Sequence, residues 1–393
     1  MHERSVLGSY KARFLVDYWQ KKPLLIRGAF PGGLTAVDPD SLAGLACQEG
    51  IDSRIVLEHG AYPWETHQGP FAESFFEKLP SSHWTLLVQA VDRLLPEVSQ
   101  LRESFQFLPN WRLDDIMISY AADHGSVGPH TDNYDVFLIQ AIGKRRWQFG
   151  EHAIPAPEFI DGLDLKILKN FEVKNDFVLE PGDMLYLPPL IAHHGVAVGE
   201  CMTYSVGFRA PTQNELLVSY SQFLLQSENP EIFYQDHFAS ALDAQAAQPG
   251  LIREDELDRL RELMISSLRD ANVFRRWIGA FLTEPRNFHE PSDEPVAVDG
   301  IRKLLHAENE NGKQLFKVEG GRFAYYRDAA KVYLAVEGET VVVSKELFGL
   351  VTYLSEHETY DFKTILQYEA TEGFDDLLAH LWNQGFLRRG ERA

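Results

Sequence analysis

The spacing of apolar positions changes along the chain, and each change marks a shift in expected architecture. Near the N-terminus, Tyr10–Gln20 has helical spacing and runs into Lys22–Ile26, a short apolar strand closed by Arg27 and Gly28. Asp40–Ala46 and Trp84–Leu95 also read as helices, the second stopped by Pro96. From about residue 112 to 210 the pattern turns to short runs separated by Gly and Pro. The predicted strands are Ile116–Tyr120, Tyr134–Ala141, Arg145–Phe149, Met184–Leu187 and Met202–Arg209. Many short antiparallel strands at this spacing point to a sandwich or barrel.

Helical periodicity returns over 214–283. Within Glu254–Arg269, residues Leu257, Leu260, Leu263, Met264 and Leu268 form one apolar stripe. A stripe of this kind outside a barrel packs on a neighbour in the chain or on a second subunit, and both remain open. The charged, proline-rich Glu284–Pro295 reads as a linker. Beyond it come strands at Phe323–Tyr326, Val332–Val336 and Thr340–Val343, then helices from Ser344 onward, and the close at Leu377–Leu387 resembles the end of a winged-helix unit. The expected fold class is α+β. Its layout is 1–211 with a barrel core at about 112–211, a helical region at 212–284, a linker at 285–295 and an acidic winged-helix-like unit at 296–393.

Charge narrows the partners. A net charge of −21 over 393 residues disfavours general affinity for nucleic acid phosphates. The acidity of the last unit likewise argues against direct DNA binding, and favours a docking or dimer-supporting role. An acidic surface steers in a basic partner, and solubility alone accounts for it equally well. Cys47 and Cys201 are the only cysteines, which excludes a disulfide scaffold and a Cys-rich zinc protein. The stretch from Met1 to Leu15 lacks the apolar run of a secretory signal, and no window approaches the roughly 18–20 apolar residues of a spanning helix. The expectation is a cytoplasmic protein with no membrane segment.

Candidate chemistry lies in two segments. In an extended chain residues i and i+2 face the same way, so His130 and Asp132 can present an imidazole and a carboxylate to one point. On spacing alone such a pair is common. A second segment, Glu180–His194, carries a turn at Pro181-Gly182-Asp183, an apolar strand, a stiff Pro188-Pro189 step and then His193. It resembles the second cupin motif, in which five residues separate Gly from Pro and the histidine follows the Pro by five. Gly182, Pro188 and His193 fit, while the motif's glycine two positions after the proline is Leu190. His194, next along an extended chain, reads as a supporting or exposed residue. Two imidazoles and one carboxylate leave open positions on a metal, which suits a non-haem iron(II) oxygenase. Zinc is the competitor by ligand type, but a structural zinc site closes with a fourth protein ligand, and no obvious one is seen.

These segments, together with Trp19–Gly28, Asp114–Ser119, Asp132–Phe137 and Tyr204–Pro211, resemble the JmjC hydroxylases, and among them the bacterial ribosomal oxygenase branch. The resemblance implies a double-stranded β-helix of jelly-roll or cupin type, with iron(II) at His130, Asp132 and His193, 2-oxoglutarate as co-substrate and O₂ as oxidant. It implies hydroxylation of an arginine side chain on a basic ribosomal protein of the large subunit. The alternatives are a JmjC oxygenase or demethylase acting on another protein or tRNA, a non-catalytic metal-binding cupin, and a zinc hydrolase or isomerase.

In this branch a basic residue after the His-x-Asp motif grips the far carboxylate of 2-oxoglutarate, and Arg145 holds that place. Its own pattern agrees. After a turn at Gly143-Lys144, Arg145 shares a strand face with Trp147 and Phe149, and a buried guanidinium needs an anion. An internal salt bridge would meet the same need. Thr203 and Ser205 alternate on one strand and can offer a hydroxyl to that carboxylate or to substrate. A guanidinium substrate calls for a carboxylate and an aromatic face. Asp115 and Tyr134 are the candidates, with Met117 and Ser205 as partners; a capping role for Asp115 and a core role for Tyr134 compete with this. The helical region is expected to support a homodimer.

Overall fold

A computed structural model describes residues 6–58, 64–226, 232–236, 251–285 and 291–390. In its first half the strand-forming runs join one antiparallel sheet of nine strands. The order is β1 (Leu24–Ile26), β8 (Met184–Leu187), β6 (Asp135–Ala153), β9 (Ile191–Phe208), β5 (Leu113–Ala121), β4 (Trp84–Val88), β2 (Ser53–Glu58) and β3 (Trp64–Gln68), with β7 (Asn175–Leu179) also paired to β6. The jelly-roll architecture expected from the resemblance is therefore present, and strands from before residue 112 extend it.

Several predicted elements change character. Tyr134–Ala141 and Arg145–Phe149 belong to one strand of 19 residues, β6, and no turn separates them. Gly143 adopts φ +63°, and the register to β9 slips on both sides of Ile142. The glycine thus bends the strand as a bulge instead of reversing it. Trp84–Leu95 is not a helix. Trp84–Val88 forms β4 between β2 and β5, and only Val91–Arg93 makes a 3-10 turn. Pairing on both edges overrides the helical spacing, and Ala90 at φ +51° ends the run. Helix α1 (Pro39–Ala46) matches expectation, capped by the Asp38 carboxylate accepting from Ser41 N at 2.8 Å. Within Tyr10–Gln20 only short turns form, at Gly8–Tyr10 and Phe14–Asp17.

Alternation along β6 separates two interiors. Phe137 and Ile139 face the main core with Phe14, Trp19, Tyr186 and Phe208, while Val136 and Leu138 join Trp147, Phe149, Leu185 and Leu187. Fully burying each large apolar side chain contributes about 1.5–3 kcal/mol, so this alternation fixes the register of β6. The second interior surrounds the candidate site.

The helical region contains α2 (Gln213–Gln226), α3 (Glu254–Arg269) and α4 (Ala271–Thr283). The α3 stripe is uncovered: Leu257, Leu260, Met264 and Leu268 are exposed, and the helix buries no residue. By contrast, α4 lies on the C-terminal sheet, where Thr340 Oγ1 donates to Arg276 O at 3.0 Å and Gly338 N to Thr283 Oγ1 at 3.2 Å. The middle of the expected linker, 286–290, falls outside the described residues. The final unit places α5 (Ile301–Glu310), α6 (Phe348–Glu356) and α7 (Phe374–Asn383) with two small sheets. One sheet pairs β11 (Phe323–Arg327), β12 (Lys331–Val336) and β13 (Glu339–Ser344); the other pairs β10 (Gln314–Lys317) with β14 (Thr359–Tyr360) and β15 (Leu387–Gly390). A separate core of Leu315, Leu334, Leu350, Phe374 and Trp382 holds it together, a winged-helix arrangement.

Candidate active site

His130 and Asp132 lie just ahead of β6, and His193 lies near the start of β9. A single bridge joins them: His130 N donates to His193 O and His193 N to His130 O, both at 3.0 Å. The His-x-Asp pair is extended, as its spacing requires, but it stands outside the regular strand. Leu190 N donates to Asp132 O at 2.7 Å, so the loop that delivers His193 also fixes the carboxylate's backbone. Leu190 sits at φ +63°, the left-handed conformation for which the cupin motif uses glycine. The departure noted in the sequence is absorbed as local strain, on the order of 1 kcal/mol.

Each imidazole is oriented from behind. His130 Nδ1 lies 2.9 Å from Gly128 O, and His193 Nδ1 lies 2.9 Å from Ile191 O. A proton on Nδ1 donates to the carbonyl and leaves the Nε2 lone pair for a metal, the arrangement that raises ligand basicity. The two Nε2 atoms turn toward Asp132, at 4.0 Å for His130 and 3.5 Å for His193. One donor atom from each residue falls within 4.8 Å of the others. Burial, then the neighbouring His130, push His193 down to about 4 against the pull of Asp132, so it is neutral near pH 7. This donor set fits a divalent metal with three protein ligands. Among the described residues no fourth His, Cys, Asp or Glu joins the cluster, which suits an open oxygenase site rather than a closed structural zinc.

A cavity of about 340 Å³ opens from these ligands. Arg145 lines it and is only 3% exposed, yet no carboxylate pairs with it among the described residues. Its Nη1 donates to Ser119 Oγ at 3.4 Å and its Nη2 to Gly195 O at 3.3 Å, while Nε has no partner. Burial pulls its pKa down, the mark of a cation awaiting an anion. Among the described residues, the internal salt bridge that competed with a co-substrate role is absent. Trp147 stacks against the guanidinium, with the ring centroid 5.1 Å from Cζ. Gly195 makes this packing possible, since a Cβ there would meet the Trp147 ring at 2.7 Å and Arg145 Nε at 2.8 Å. A dicarboxylate reaching from the metal to Arg145 fits these groups.

The remaining predicted residues divide. Met117, Tyr134, Thr203 and Ser205 all line the cavity, and the β5–β9 ladder pairs Met117 with Ser205 and Ser119 with Thr203. Thr203 donates to Gln140 Oε1 at 3.2 Å. Asp115 is buried behind the wall and does not itself line the cavity. Its Oδ2 accepts from Ala90 N at 3.2 Å, and its Oδ1 faces Gly207 close to the Tyr134 ring. His194 turns to the opposite face from His193, half-buried, with Nε2 unpartnered.

Sequence reasoning missed Arg54 and Gln89, brought in by β2 and the end of β4, and the loop residues Asp164 and Lys166. No motif marks them. Their place follows from strand pairing across the sheet and from Leu168 N donating to Pro129 O at 2.8 Å.

Comparison with known proteins adds to this geometry. A JmjC domain model matches residues 100–216, and a ROXA-like winged-helix model matches residues 265–388, beginning within α3. The chain is 37% identical over 313 residues to a ribosomal protein uL16 3-hydroxylase of Escherichia coli K12, covering 79% of this chain and 80% of that protein. It is 32% identical over 356 residues to a probable ribosomal oxygenase of Haemophilus influenzae, covering 89% and 86%. The X-ray structure of Escherichia coli YcfD superposes with a TM-score of 0.85 at 33% identity, over 96% of this chain and 97% of that one. YcfD in complex with cobalt and 2-oxoglutarate, described as a ribosomal oxygenase, superposes at 0.81 and 32% identity over the same shares.

Proposed function

Because the chain belongs to the JmjC ribosomal oxygenase family, a group of iron(II)- and 2-oxoglutarate-dependent hydroxylases, we propose that it hydroxylates an arginine side chain on a large-subunit ribosomal protein, with uL16 the first candidate. The observation that carries this reading is one cavity holding three convergent metal donors and a buried guanidinium that no carboxylate meets among the described residues. In it, His130, Asp132 and His193 hold iron, and Arg145 takes the far carboxylate of 2-oxoglutarate. Thr203 or Ser205 adds a hydroxyl to that carboxylate. When bound there, iron(II) with 2-oxoglutarate and O₂ would supply the oxidation: 2-oxoglutarate would lose CO₂ and take up one oxygen atom as succinate, and the other oxygen atom would enter a substrate C–H bond.

The chain's own groups supply position and dryness. Val136, Leu138 and Trp147 exclude water around the donors. On the substrate side, Tyr134 offers the incoming guanidinium a flat face, with Met117 and Ser205 packing beside it, and Asp115, buried behind the wall next to that ring, supplies the balancing negative charge. The net charge of −21 draws in a basic ribosomal protein, and a cytoplasmic setting follows from such a substrate. The uncovered stripe of α3 suits a second copy of the chain and supports a homodimer. Strands β10–β15 and their helices serve docking or support rather than DNA.

The test incubates the protein with iron(II), 2-oxoglutarate and bacterial ribosomal proteins, then maps oxygen addition by mass spectrometry. One added oxygen on a single arginine, lost in Asp132→Ala, is the expected result. Oxygen on another residue type replaces the substrate assignment. Absence of 2-oxoglutarate turnover with every ribosomal protein returns the chain to a metal-binding cupin without activity.

A further inference from the structure

We propose that Arg322, in the C-terminal domain, is a positioning residue for the substrate-side carboxylate of Asp115 and acts through Asp114. The inference rests on the assignment of Asp115 to the substrate guanidinium. Between Leu113, paired with Phe208, and Ile116, paired with Val206, the β5–β9 ladder slips, so Asp114 and Asp115 together oppose the single residue Gly207. A bulge of this kind re-aims a side chain, and the aim depends on whatever holds the extra residue.

The barrel holds one side of the bulge. Ala90 N donates to Asp115 Oδ2, and Ile116 N donates to Asp92 Oδ1 at 2.8 Å. The C-terminal domain holds the other. Arg322 Nη2 donates to the Asp114 carbonyl at 2.8 Å and to its Oδ1 at 2.5 Å, while Nη1 donates to Glu284 O at 2.9 Å. Arg322 N donates in turn to Glu337 Oε1 at 2.5 Å, and Glu337 is ion-paired at 3.2 Å with Arg93, in the same 3-10 turn as Asp92. One stretch of the C-terminal domain therefore grips both the bulge and the turn that supports it.

Two consequences follow for Asp115. The bond to the Asp114 carbonyl fixes the peptide plane between residues 114 and 115, which sets the direction of the Asp115 side chain. The ion pair also neutralises Asp114, so the charge that the substrate side feels from the bulge, through the cavity wall, is that of Asp115. Both Arg322 and Asp114 are buried, so water cannot replace either contact cheaply. The C-terminal domain becomes part of the specificity apparatus without touching substrate.

The experiment uses the full chain carrying Arg322→Met, Arg322→Lys or Asp115→Asn, with recombinant bacterial uL16 as substrate. It measures KM for uL16, KM for 2-oxoglutarate, succinate release without protein substrate, and thermal melting. Arg322→Met is expected to raise the uL16 KM by about tenfold, leaving the 2-oxoglutarate KM and substrate-free turnover within about twofold. Arg322→Lys, which retains a charged donor for Asp114 but cannot also reach Glu284, is expected to recover part of the loss. An Arg322→Met protein that melts like the parent with an unchanged uL16 KM overturns the proposal, as does an equal rise in both KM values. If Arg322→Met does not fold, Arg322→Lys decides on the same criteria. A rise in Asp115→Asn without one in either Arg322 variant rejects positioning and keeps the substrate assignment. No change in Asp115→Asn, or no hydroxylation of uL16 by the parent enzyme, removes that assignment and the positioning role with it.

Discussion

At the metal end of the cavity each histidine leans on a carbonyl two residues away in sequence, Gly128 for His130 and Ile191 for His193. At the end proposed for substrate, Asp115 leans on Ala90, 25 residues away, and its neighbour Asp114 on Arg322, 208 residues away. The first arrangement is local and made of neutral contacts; the second is assembled from distant segments through buried charge. The ring orientation of each histidine is thus set within its own segment, although the bridge between His130 and His193 joins the two segments, while the support behind Asp115 reaches into the C-terminal domain.

Mutation separates the two ends. Asp132→Ala or His193→Ala is expected to abolish succinate release with or without protein substrate, exceeding the roughly 10–100-fold typical of residues behind metal ligands. Metal content by elemental analysis should fall in parallel, and retained iron with lost turnover would show that the residue does something other than ligate. Arg145→Met comes next. Loss of a charged hydrogen bond to a carboxylate costs about 1.5–3 kcal/mol, so the KM for 2-oxoglutarate should rise by about 10–100-fold. Unchanged affinity in a titration with 2-oxoglutarate would send Arg145 back to a structural role.

The substrate end should respond differently. Tyr134→Ala is expected to weaken the ribosomal protein by about 0.5–2 kcal/mol, the range of a cation on an aromatic face, with the KM for 2-oxoglutarate unmoved. A parallel change in both KM values would erase the distinction between the two ends. The smallest effect belongs to Leu190→Gly. Release of left-handed strain offsets the added freedom of the unfolded chain, so thermal unfolding should show a stability change within about 1 kcal/mol. A loss well beyond that would mean the Leu190 side chain packs more than it strains.

Sequence legibility follows the same division. His130, Asp132 and His193 were readable because the spacing of donors within an extended segment and along the Gly182–His193 loop is a local property. Arg145 was readable from its face-sharing with Trp147. Arg54 and Gln89 were not, because their approach to the cavity depends on β2 pairing with β4 and β4 with β5, and β4 itself read as a helix. The boundary between Tyr134–Ala141 and Arg145–Phe149 failed for a related reason: a glycine marks a bend as readily as a turn, and only the partner strand β9 decides which. The contact between Arg322 and Asp114 leaves no trace in either segment alone.

Strands β6 and β9 are 19 and 18 residues long and pair with each other over most of that length. Between them they carry Arg145, His193, Thr203 and Ser205, and they also supply Phe137, Ile139 and Phe208 to the main hydrophobic interior. The catalytic floor and the cooperative folding unit are thus the same pair of ribbons. Amide protons beside Arg145 should exchange only by global opening, and heat should extinguish turnover and strand structure together, with no folded but inactive species between them.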